Sequence, residues 1–125
     1  MSGFVHEEFH VHTVVELDRF TRSAKAAGVT RDELNDIITF LALNPSAGAV
    51  IPGTGGARKL RFRARGKGKS GGYRVVTFFS GRDIPMFLVD IFAKGDELNL
   101  LRQDQNNLKF AFEILVEHYK GQQDD

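Results

Sequence analysis

Between Arg58 and Arg74 the chain places eight Lys or Arg residues and no acid: Arg58, Lys59, Arg61, Arg63, Arg65, Lys67, Lys69 and Arg74. Cationic side chains do one kind of chemistry well: they hold phosphate oxygens and stabilise charge that grows on them. The chain has a net charge of +1, so a segment at +8 leaves the remainder at −7. Attraction for a polyanion is thereby confined to one stretch of an otherwise acidic protein. A solvated strand edge that deters aggregation has a similar composition. Lys59, Arg61, Arg63 and Arg65 recur at every second residue, so a strand carries them on one face and Leu60, Phe62 and Ala64 on the other. Cations so spaced reach about 20 Å, the span of about three or four extended nucleotides. Tyr73 can stack on a base or pack in the core.

Other chemistries are less well supported. Gly68-Lys69-Ser70 looks like the end of a nucleotide-binding P-loop, but Arg63 stands where that loop needs its first glycine. His6, His10 and His12 cluster without an anchored third ligand, so no metal is expected. Asp90 lies in an apolar run, where a buried carboxylate needs a partner. An ion pair with a neighbouring cation such as Arg74 is preferred to a catalytic role. Ser70 and Ser80 have no histidine placed to activate them. The chain has no cysteine, which excludes disulfides and thiolate metal sites. No apolar run is long enough to span a bilayer, and the N-terminus lacks a basic stretch followed by an apolar one. A cytoplasmic protein with no membrane segment and no cofactor is expected.

The elements that must position these residues can be read from periodicity. The length of 125 residues suits one domain, 1–125, with its own core. Val11 to Leu17 reads as a first strand. Leu17, Phe20, Ala24 and Ala27 then fall at helical spacing, with Gly28 as terminator. Thr30 and Glu33 form a capping box for a second helix, which carries Leu34, Ile37, Ile38 and Leu41 and stops at Asn44-Pro45. Residues 45–57 read as a loop. The strand from Lys59, the glycine-rich connection 66–72 and the strand Tyr73 to Phe79 predict a hairpin. Met86 to Ala93, apolar on nearly both faces, predicts a central strand. Leu98, Leu101, Gln105, Leu108, Phe112, Leu115 and Tyr119 give a helical stripe that faces the core.

The runs Asn44-Pro45, GTGGARKLRF at 53–62, GKGKSGGYRVV at 66–76 and IFAKGDELNL at 91–100 resemble, in this order, the RelE/HigB family of bacterial toxins. The likeness is to the HigB-like branch most of all, and covers most of residues 10–115. It implies an α+β RelE-like fold, with two N-terminal helices and a C-terminal helix on a small, mostly antiparallel sheet. It also implies an endoribonuclease that cuts mRNA in the ribosomal A site and is neutralised by an antitoxin, of helix-turn-helix type. By the resemblance, Lys59 and Arg61 lie beside the scissile phosphate, Arg74 stabilises the transition state and Lys94 assists the leaving group. Arg58, Arg63, Arg65, Lys67, Lys69 and Tyr73 then contact RNA or the ribosome.

The departure from the family is Leu100, which stands where some members carry a Tyr or His acid-base group. A lysine acting as base at neutral pH needs a lowered pKa, which crowding by cations can supply. Without a strong acid-base pair, catalysis falls to positioning by the ribosome. Two other classes share the fold. A ParE-like toxin directed at gyrase has no need of dense phosphate-facing cations, and a non-catalytic RNA-binding or phage-derived protein needs no acid-base residue.

Overall fold

The computed structural model describes residues 11–64, 71–93 and 102–123. In chain order the elements are β1 (Val14–Glu16), α1 (Asp18–Ala27), α2 (Arg31–Leu43), β2 (Ala49–Val50), β3 (Ala57–Arg63), β4 (Gly72–Phe78), β5 (Met86–Ala93) and α3 (Arg102–Gln123). The strands form one sheet in the order β1-β5-β4-β3-β2. β1 lies parallel to β5, and the other neighbours are antiparallel. Three helices on a mixed five-stranded sheet make an α+β fold, as the sequence predicts. No described helix is long and apolar enough to cross a membrane.

Local chemistry sets the helix ends. Gly28 takes φ +74°, a left-handed conformation that closes α1 by returning its N–H to the carbonyls of Ala24 and Lys25. At the start of α2 both halves of the capping box form: the Glu33 N–H donates to Thr30 Oγ1 at 3.1 Å, and the Thr30 N–H donates to Glu33 Oε1 at 2.9 Å. Tyr73 Oη also donates to Glu33 Oε1, at 2.9 Å, which ties the cap of α2 to β4.

The sheet has a core on each face. On one face Phe20 and Ala24 of α1 and Ile37 and Leu41 of α2 pack on Tyr73, Val75, Met86, Leu88 and Ile91. On the other, Phe112 of α3 packs with Val76, Phe78, Phe87 and Val89. The Phe112 and Phe78 rings stack with centroids 4.0 Å apart, and Tyr119 meets Phe87 edge-on at 5.5 Å. β5 is buried on both faces because helices cover both, which explains its almost unbroken apolar run. Of the stripe read for the last helix, Leu108, Phe112, Leu115 and Tyr119 pack in this core, while Leu98 and Leu101 lie outside the described residues.

Two boundaries differ from expectation. β1 begins at Val14, because its pairing partners on β5 are only Met86, Phe87 and Leu88. The loop after α2 contains a short strand, β2, whose two residues pair with Lys59 and Arg58. Flanking glycines and proline hide it in the sequence. Gly48 is required there: its φ is +102°, and a Cβ would come within 2.7 Å of the Lys59 carbonyl oxygen.

Candidate functional site

The alternation read in the sequence holds in β3. Lys59, Arg61 and Arg63 are exposed, whereas Leu60 and Phe62 are half-buried against the core under α1 and α2. The cations therefore occupy the sheet face that α3 covers elsewhere. Pairing with β4 sets Lys59 opposite Val76, Arg61 opposite Arg74 and Arg63 opposite Gly72. Arg61 and Arg74 are thus like charges directly across a ladder, an arrangement that is unfavourable without an anion between them.

No described carboxylate pairs with Arg61 or Arg74. Asp90 does not pair with Arg74 as the sequence suggests. Its Oδ2 accepts from Arg19 Nε at 3.0 Å, and its Oδ1 from the Ile91 N–H at 2.9 Å. The physical reason is the pairing of β4 with β5, which sets Asp90 opposite Val76 and gives Arg74 Phe92 as its cross-strand neighbour. The arginine of α1 claims the one acid of β5, and Arg74 stays free of it. Arg19→Ala is expected to lower stability by about 1–2 kcal/mol, between the values for an exposed and a buried pair, because Asp90 loses its counter-charge. Denaturant titration measures this; an unchanged midpoint would show that the bridge contributes nothing.

Gly72 opens the site. A Cβ there would run into the Phe62 carbonyl oxygen, so β3 and β4 can approach only with glycine. The guanidinium of Arg63 consequently has no side chain across from it. A cleft of about 320 Å³ lies at this end of the hairpin, lined by Arg61, Phe62, Arg63, Gly71, Gly72, Tyr73 and Arg74. Its lining carries three arginines and no acid, which suits it to phosphodiester oxygens.

Two residues assigned to the nucleic acid lie elsewhere. Arg58 has the opposite parity on β3, and its Nη1 donates to the Gly48 carbonyl at 3.1 Å, fastening the loop before β3. Tyr73 is only 4% exposed, in the core shared with α1 and α2, so its ring offers no stacking surface. On the cationic face the aromatic directly opposite Arg74 is Phe92 of β5, which the sequence did not single out. Arg65, Lys67, Lys69, Lys94 and Leu100 lie outside the described residues, as do His6 and His10. His12 Nε2 is 2.8 Å from the Ile84 carbonyl oxygen, and the described residues hold no group of three metal-binding side chains.

Burial pushes the Tyr73 hydroxyl up to about 12, helped by its hydrogen bond to Glu33 and the charge of that carboxylate. A folded-state value raised above the ordinary 10 stabilises the fold fully below pH 10, and the contribution is lost as pH rises from 10 through 12. Tyr73→Phe is expected to cost about 1–2 kcal/mol at neutral pH, through the lost hydrogen bond to a charged acceptor. Between pH 10 and 12 its stability should fall less steeply than the parent's; parallel curves would remove Tyr73 as the titrating group.

Comparison with known proteins places this geometry. A family model, the RelE toxin of the RelE/RelB toxin-antitoxin system, matches residues 13–123. Among solved structures, a mutant of the E. coli toxin RelE in the free state is similar, with a TM-score of 0.50 and 19% sequence identity. The match covers 66% of this chain and 82% of that one. At that identity it supports the fold alone.

Proposed function

The chain belongs to the RelE toxin family, and from that premise we propose that it is a HigB-like, ribosome-dependent mRNA endoribonuclease held in check by a helix-turn-helix antitoxin. The observation that carries the reading is the Arg61–Arg74 pair on an open sheet face with no described acid beside it. In the reaction a ribose 2′-oxygen attacks the adjacent phosphorus, the bond to the 5′-oxygen breaks, and a 2′,3′-cyclic phosphate remains. The 2′-hydroxyl loses its proton and the departing 5′-oxygen gains one. Negative charge gathers on the phosphorane in between, and preorganised cations lower that barrier directly.

Each cation has a role in this scheme. Arg61 and Arg74 clasp the non-bridging oxygens, a task for which the guanidinium fork is suited. Lys59 lies beside the nucleophile, and Lys94, the residue after β5, assists the leaving oxygen. Arg63 holds the neighbouring backbone, and Arg65, Lys67 and Lys69 extend that contact to RNA or the ribosome. The ribosome supplies alignment of the 2′-oxygen with the phosphorus, an effect large enough to carry much of the rate.

Mapping transcript 5′ ends after brief expression tests the proposal. Cuts confined to translated regions, at one phase within codons, are expected. Intact transcripts together with DNA breaks trapped on gyrase would overturn it in favour of a gyrase-directed toxin.

A further inference from the structure

The register of three adjacent strands lines up Arg61, Arg74 and Phe92 in one row across the sheet. They share a face. Arg61 alternates with Leu60, which packs under the first two helices, and Phe92 packs at the margin of the core beneath α3. With strands about 4.8 Å apart, the row runs about 10 Å, and the ring is one strand away from a guanidinium. Phe87 and Val89, earlier on the same face of β5, are fully buried, whereas Phe92 is half-buried.

We infer that Phe92 is a base-stacking platform, and that the nucleobase next to the phosphate held by Arg61 and Arg74 lies against its ring. The inference rests on the endoribonuclease reading above. The row puts an aromatic surface beside two phosphate ligands, the combination by which single-stranded nucleic acid is held with little regard to sequence. Every base has a π-face, so the ligand class is a nucleobase of any identity. Tyr73, the aromatic neighbour of Arg74 in sequence, is turned to the opposite face and bonded to Glu33. A ring that merely filled the margin of the core would be replaceable by an aliphatic side chain of similar bulk.

The test uses ribosomes programmed with a short synthetic mRNA, either intact or with a single abasic residue at each position of the A-site codon in turn. Cleavage is followed as protein concentration is varied. For the parent, base removal at one position is expected to raise the half-saturating concentration about 5- to 150-fold, the range for one stacked base. Phe92→Leu should show that rise already on intact mRNA and no further response at that position, and Phe92→Trp should restore the parent's behaviour. A Phe92→Leu protein as sensitive as the parent to every abasic position overturns the inference while leaving the endoribonuclease reading in place. A parent that cuts no programmed mRNA sinks the endoribonuclease reading and the inference with it. Thermal melting is run in parallel, and Phe92→Met repeats the scan if the leucine variant unfolds early.

Discussion

Arg74→Ala is expected to relieve growth arrest and to reduce transcript cleavage by about 10²- to 10³-fold, the usual effect of deleting one preorganised donor to a developing oxyanion. Stability should not fall with activity. Arg74 lies directly across from Arg61, and removing one of two facing like charges is neutral or mildly stabilising, by about 0.2–1 kcal/mol. Loss of activity with an unchanged or raised melting temperature separates a chemical role from a structural one. Arg74→Lys keeps the charge without the planar fork and should fall between parent and alanine variant. An Arg74→Ala protein that arrests growth as fully as the parent would remove Arg74 from the reaction.

The largest expected effect on stability is that of Phe112→Ala, about 3–5 kcal/mol by the cost of emptying an aromatic site in a core. Phe112 is 2% exposed and stacks on Phe78 at 4.0 Å. For a domain stabilised by about 5–15 kcal/mol, such a loss leaves a protein near its unfolding threshold. The matched control is Ile114→Ala on the same helix. Ile114 is 55% exposed, and its removal should change stability by no more than about 0.5 kcal/mol. Chemical denaturation of the pair decides the matter; two variants alike would mean that α3 is not held through Phe112.

What the sequence revealed follows from the range of the forces involved. The cap of α2 was legible because Thr30 and Glu33 are three residues apart and satisfy each other. The face of Lys59, Arg61 and Arg63 was legible because period two is a property of one strand. Partners across the sheet were not. Asp90 needed a cation, but whether Arg74 or Arg19 supplied it depended on the pairing of β4 with β5 and on the docking of α1. Tyr73 sits next to Arg74 in the chain, and that very adjacency puts it on the other face. Phe92 gave no local signal, since its place beside the arginines comes from the pairing of β4 with β5. Arg58 has the other parity from Lys59, Arg61 and Arg63, and its guanidinium fastens the loop at Gly48.

The parallel pairing of β1 with β5 also has a meaning in time. Val14 to Glu16 can find their partners only after Met86 to Leu88 exist, and side-chain contacts such as Arg19 to Asp90 bridge 71 residues. Contacts of such separation are slow to close, because the intervening chain must first be ordered. The β3–β4 hairpin, which alone joins Arg61 to Arg74, is marginal in water until β5 flanks it. As the chain grows, its arginines therefore stay unorganised until most of the protein has been made. A toxin proposed to attack translating ribosomes thus becomes competent only late in its own translation.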